Sequence, residues 1–274
     1  MIDAHAHIYH ADESTYQMID SPSRPPEGTG TIEHLKRNVA EAGIDRVVLV
    51  QTGSAYRWDN RLLGDTAKAN GDWMVGVCTL DPLARESLAE LERLRTDFNV
   101  RGLRVETTKS AYAQYYHPGS VALWEAAQRL DVVICAHLQT PYLQQFSDLL
   151  ARFPDVKVVL DHAAYPKASE GPQSETVQAV VDLARFPQLH LKLTFAVTGS
   201  DEGYPFTDMH EIVRKLLRAY GPARCMWGSD FPCEHWLKKA SYVQHLDLYR
   251  EDLGLSSGEQ AAVLSDTAEG LWFT

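Results

Sequence analysis

No run in the sequence approaches the roughly 18 apolar residues that a membrane-crossing helix requires, so no spanning helix is expected. Clustered glycines are also missing where a dinucleotide-binding fold would need them. After the first strand-like run the chain reads "HIYHADESTYQ", which offers no phosphate turn. Positive charge is short: 26 Lys and Arg face 37 Asp and Glu, a formal net charge of −11. That balance argues against nucleic acid or an anionic membrane surface as the main partner. A few local arginines could still serve a small anionic substrate. Cysteine is scarce, and Cys78, Cys135, Cys225 and Cys233 have no CxxC spacing. Lying mostly in apolar runs, they read as buried reduced thiols, which points to a cytoplasmic protein. A strand-like run already starts at residue 2, so no secretory signal is expected.

What the sequence does contain is a repeated alternation. Eight short β-branched or apolar runs follow one another: 2–9, 45–52, 73–80, 100–106, 131–139, 156–163, 189–196 and 224–232. Between them lie amphipathic stretches such as "TIEHLKRNVAEAG" and "DMHEIVRKLLRAYG", apolar at i, i+3, i+4 and i+7, both ending in glycine. Strand–helix alternation of this kind predicts an α/β protein, a single (β/α)8 TIM barrel over residues 1–274. An open doubly wound sheet is the second choice. The Pro- and Gly-rich "DSPSRPPEGTG" falls inside a long loop, 9–30, after the first strand, and a final helix near 256–271 closes the barrel.

In such barrels the chemistry gathers at the C-terminal ends of the strands. There the first run carries His5 and His7, the fifth His137, the sixth His162 and the eighth Asp230, while the fourth carries Arg104 and Glu106. Residues i and i+2 of a strand share a face. His7, His5 and Asp3 should therefore point inward together, and Cys135 should pack beneath His137, with Gly228 and Met226 beneath Asp230. In the seventh run His190, Lys192 and Thr194 should line the interior, leaving Leu189, Leu191, Leu193 and Phe195 for the helices. A buried lysine is costly unless paired, which marks Lys192 as part of a site.

Any single strand histidine is more often a hydrogen-bonded structural residue than a ligand. Four histidines and an aspartate at the same end of four strands favour a functional set. His34, His210 and His245 fall in helical patterns and read as solvated or capping residues, whereas His117 and His235 fall in loops. Three imidazoles and one carboxylate, His5, His7, His137 and Asp230, would suit one divalent ion, zinc foremost, with an open position for water. Asp230 could then take a proton from water, and His162 could polarise a carbonyl or protonate a leaving group.

The HxH of the first run, His137, His162 and "WGSDFP" together resemble the amidohydrolase superfamily. Within it the closest likeness is to the amidohydrolase-2 branch, which holds sugar-lactone and 2-pyrone-4,6-dicarboxylate lactonases and non-oxidative decarboxylases. The resemblance runs from "IDAHAHIY" through "DHAAYP" to "LSDTAEGLWF". It implies His5, His7, His137 and Asp230 as metal ligands and His162 as the strand-six histidine. No lysine stands at the end of the fourth strand, so a binuclear centre bridged by a carboxylated lysine is not expected, although Glu106 leaves an opening for one. Some lactonases of this branch resemble metal-independent enzymes, so a site without metal is the alternative. "RGLRVE", with Arg101 and Arg104, is similar to an arrangement that holds substrate carboxylates.

The expectation is a hydrolase that opens a lactone with an activated water. A decarboxylase of an aromatic or unsaturated acid is the alternative, and a non-catalytic barrel the third reading. Arg104, Lys192, Tyr165, Tyr56 and Arg57 are the candidate substrate contacts. Tyr9, Tyr16, Arg24, Asn60, Lys109, Tyr112, Tyr115, Tyr116 and Lys167 are further polar loop residues. Such a lining suits a small anionic or polyhydroxy substrate, and a homo-oligomer is compatible with the sequence.

Overall fold

The computed structural model describes residues 1–106, 116–232, 235 and 238–274; Lys109, Tyr112, Tyr115 and Cys233 lie outside the described residues. Eight strands form where the β-branched runs stand: β1 Ile2–Ala6, β2 Arg46–Val50, β3 Met74–Thr79, β4 Val100–Glu106, β5 Val133–His137, β6 Val158–Leu160, β7 Leu189–Lys192 and β8 Cys225–Met226. They pair in parallel in sequence order, β1 to β8. The chain after β8 then closes the sheet on β1. The His7 and Asp230 amides donate to the carbonyls of Phe231 and His5, both at 2.8 Å, and Ala6 bridges Phe231 in parallel. The (β/α)8 barrel expected from the alternation is the fold observed.

Helices cover the outside, and their ends follow the sequence signals. Helix α1 (Ile32–Ala42) starts at Thr31, whose side chain accepts from the His34 amide, and stops at Gly43 with a left-handed φ of 69°. Its buried residues, Leu35 and Val39 among them, pack with Val47 and Leu49 of β2 in the layer between helices and strands. A second, smaller cluster fills the barrel interior with Ile2, Ala4, Val48, Val50, Val75, Val77, Val133, Cys135, Val159 and Met226. Leu271 and Trp272, near the C-terminus, join that cluster and plug the end of the barrel away from the histidines. Among the described residues no helix is long and apolar enough to cross a membrane.

The inner cluster tests the expectations about which side chains point inward. Cys135 and Met226 lie inside, and Leu189, Leu191, Leu193 and Phe195 lie in the outer layer, as expected. Asp3 departs from its expected position. Asp3 pairs with Val47 and Ala6 with Leu49, so β1 holds one residue more than β2 over this stretch. Val47 and Leu49 belong to the outer layer, and the irregularity therefore turns Asp3 outward while His5 points in. There Asp3 accepts hydrogen bonds from the Ser229 amide (2.9 Å), Ser229 Oγ (2.6 Å) and the Tyr242 hydroxyl (2.8 Å). It ties β1 to the chain that carries Asp230.

Candidate active site

Three of the sequence-predicted residues converge at the mouth of the barrel. His5, His7 and Asp230 each offer a ligand atom, and these atoms lie within 4.8 Å of one another. The two Nε2 atoms stand 3.1 Å apart, and Asp230 Oδ1 lies 3.6 Å from His5 Nε2 and 3.5 Å from His7 Nε2. His7 Nδ1 is 2.9 Å from the carbonyl oxygen of Val50. A carbonyl only accepts, so Nδ1 carries the proton and Nε2 presents a lone pair. His5 turns its Nδ1 toward Asp161 Oδ1 at 3.7 Å. Two imidazole nitrogens and a carboxylate oxygen facing one another form a donor set that suits a divalent cation.

The backbone around Asp230 is shaped for this meeting. Asp230 sits at a left-handed φ of 52°, a conformation aspartate tolerates better than most residues. Gly228 leaves room beneath it, since a Cβ there would stand 2.6 Å from His5 Cβ. Burial pushes the Asp230 carboxyl up. The electrostatic interaction with the His162 ring, the hydrogen bond with His7 and the charge of Arg104 outweigh burial and hold it below the usual carboxylate range.

His162 does not lie on the sixth strand, which ends at Leu160. It stands in a turn, Asp161–Ala164, where His162, Ala163, Ala164 and Tyr165 all have positive φ, from 46° to 63°. Such a run is strained and needs its surroundings to hold it. His162 Nδ1 is 2.6 Å from Thr194 Oγ1, and its ring stacks on Tyr165 with centroids 4.7 Å apart. Burial keeps the imidazole neutral and lowers its pKa to about 3, against the opposing pull of Asp230.

A cavity of about 340 Å³ opens over His7, His162 and Asp230 and is bordered by Arg104, Glu106, His137, Tyr165, Thr198 and the loop Thr52, Gly53 and Ser54. His137 borders this cavity, while the ligand atoms that face one another directly are those of His5, His7 and Asp230. His137 Nε2 lies 2.5 Å from the Tyr165 hydroxyl and its Nδ1 3.5 Å from Glu106 Oε1, its partner in strand register. Both ring nitrogens are thereby turned to that wall of the site. Arg104 also borders the cavity, but its Nε donates to Asp161 Oδ2 at 2.9 Å and its Nη1 lies 3.4 Å from Glu106 Oε1. Burial raises the Glu106 pKa, and His137 and Arg104 reverse this and bring it down to about 2.

Three expected substrate contacts sit elsewhere. Lys192 is fully buried beneath the cavity, its Nζ 3.0 Å from Asp161 Oδ1 and 5.3 Å from the Trp272 ring centre. The pairing with Asp161 holds the side chain in the packed interior and not in the mouth. Tyr56 is buried under the first loop, where its hydroxyl accepts from the His10 amide at 2.9 Å. Arg57 does not border the cavity; its carbonyl accepts from Gln51 Nε2 at 3.3 Å. His245, expected as solvated or capping, is fully buried, with Nδ1 3.2 Å from the Ser229 carbonyl. Asp161 escaped the sequence reading, although it directly precedes His162 and a buried Lys192 demanded an acidic partner. Thr52, Gly53 and Ser54 carried no signal beyond standing after a strand.

A closed parallel barrel with an HxH pair, a histidine after β6 and an aspartate after β8 at one mouth defines a hydrolase-type barrel. The profile of the amidohydrolase family matches residues 2–274, and the chain belongs to that family. The L-fucono-1,5-lactonase of Burkholderia ambifaria is 28% identical over 236 residues, covering 84% of this chain and 80% of that protein. The 4-sulfomuconolactone hydrolase of Rhizobium radiobacter is 25% identical over 236 residues, covering 84% and 75%. An amidohydrolase of Burkholderia multivorans, solved with bound zinc, has the same fold, with a TM-score of 0.81 at 23% identity and coverage of 99% and 98%.

Proposed function

We propose that this protein is a hydrolase that opens a lactone by attack of water on the ring ester. The observation that carries the reading is the convergence of His5, His7 and Asp230 beside neutral His162 at the floor of the cavity. Two relatives that align with 84% of the chain, both named as lactone-opening enzymes, support the same chemistry.

His5, His7 and Asp230 would hold one divalent ion, and zinc suits two imidazoles and a carboxylate. When bound, the ion supplies positive charge that acidifies nearby water and polarises an ester carbonyl. Asp230, kept ionised by its neighbours, takes the proton from the attacking water. His162 donates a hydrogen bond to the carbonyl oxygen as negative charge develops there, the largest expected contribution in acyl transfer. Thr194 and the Tyr165 ring fix the imidazole for that task. Asp230 then returns the proton to the departing alkoxide, which leaves a hydroxy acid. Buried free thiols at Cys78, Cys135 and Cys225 support a reducing, cytoplasmic setting.

The test is a panel of lactones and aromatic acids, followed by proton release and by CO2 release on protein purified without chelator. Proton release from a lactone, with no CO2 from any acid, is the expected result. CO2 release from an aromatic acid without lactone turnover would overturn the reading in favour of a decarboxylase.

A further inference from the structure

Glu106 ends β4 with its carboxylate in the cavity, between Arg104 Nη1 at 3.4 Å and His137 Nδ1 at 3.5 Å. Gly53, on the loop after β2, makes the space for it: a Cβ there would stand 2.9 Å from Glu106 Oε1. Among the described residues bordering the cavity, Arg104 is the one full cation. Its Nε is already engaged by Asp161 at 2.9 Å. Lys192 is sealed below on the other oxygen of the same carboxylate, at 3.0 Å. Arg104 and Lys192 thus balance Asp161 and Glu106, and no positive charge is left in this cluster for an incoming anion. Glu106 is the member of the cluster whose negative charge faces the cavity.

We propose that Glu106 is a specificity residue that receives the hydroxyls of a neutral polyhydroxy lactone and turns away lactones carrying a further carboxylate. This rests on the lactone-opening reading above and narrows it. An ionised carboxylate only accepts, and its two oxygens can take both hydrogens of a vicinal diol. A second carboxylate placed about 6 Å from Glu106, at an effective dielectric constant of about 20, would be disfavoured on the order of 10²-fold.

The experiment uses a matched pair: an aldonolactone ending in CH2OH and the aldaric monolactone in which that carbon is a carboxylate. Specificity constants are measured for the wild type, Glu106→Gln and Glu106→Asp. The wild type should prefer the neutral lactone by on the order of 10²-fold. Glu106→Gln should cut that preference by about tenfold or more, mainly through a lower KM for the carboxylated lactone, the size expected for losing one charge contact. Glu106→Asp keeps the charge and should keep the direction of the preference. The wild-type ratio stands as a test even where a variant fails to fold. Preference for the carboxylated lactone, or a ratio that Glu106→Gln leaves unchanged, overturns the role of Glu106 alone. Hydrolysis of neither lactone overturns the lactone reading, and the selectivity with it.

Discussion

Lys192 Nζ lies 3.0 Å from Asp161 Oδ1, and neither side chain is exposed to solvent. Arg104 Nε meets the other oxygen of the same carboxylate at 2.9 Å, so one buried aspartate holds two cations under the cavity. Asp161 also faces His5 Nδ1 at 3.7 Å, which links this charge cluster to the group of His5, His7 and Asp230. Breaking a buried pair by removing one partner leaves the other charge uncompensated and costs about 3–5 kcal/mol. Lys192→Met, close in volume, should therefore lower the urea midpoint by an amount equivalent to about 3 kcal/mol or more. An unfolding midpoint equal to that of the wild type would show that the pair does not hold the barrel together.

The strands, their order and the closing aspartate were legible in the sequence because each rests on local pattern. Runs such as "DRVVLVQT" have β-branched residues, amphipathic helices separate them, and a parallel barrel is the simplest closure of eight such units. His5 and His7 were legible from their place at the end of the first run, and His162 and Asp230 from standing just beyond the strands of the sixth and eighth runs. Asp3 was not, because period-two reasoning assumes a regular strand and the extra residue between Asp3 and Ala6 breaks the period. The neighbours of His137, Glu106 and Tyr165, were not legible because they come from other strands and turns, and their distances are a property of the closed barrel. Lys192 was rightly placed inward, but it was taken as a substrate contact because its partner Asp161 comes from the turn after β6 and their approach is a property of the closed barrel.

Metal content should follow the ligand group. Protein purified without chelator is expected to carry about one divalent ion per chain at the group formed by His5, His7 and Asp230. His7→Ala removes the nitrogen anchored through Val50 and should lose the ion, read by elemental analysis. His137→Ala should keep it, because His137 lies outside that group. Equal metal loss in both variants would place His137 back among the ligands.

His245 gives a pH-dependent contribution to stability. Burial lowers its pKa to about 4, whereas the unfolded chain carries a histidine near 6.5. The unfolded state therefore binds the proton first as pH falls. Stability from this residue is complete above about pH 6.5, declines between there and about pH 4, and is then lost, a change of about 3 kcal/mol. His245→Asn, which keeps a donor for the Ser229 carbonyl, should flatten this part of the stability profile in chemical unfolding between pH 4 and 6.5. A profile as steep as that of the wild type would mean that the imidazole is not buried in its neutral form.

The catalytic reading stands or falls on the carboxylate of Asp230. It is the group that meets both HxH nitrogens and is kept ionised by its surroundings. The most direct measurement is turnover of the best lactone by Asp230→Asn, which keeps the shape and removes the base. Loss of general acid–base catalysis predicts a fall of at least about 10²-fold in kcat. Turnover close to that of the wild type would contradict the account.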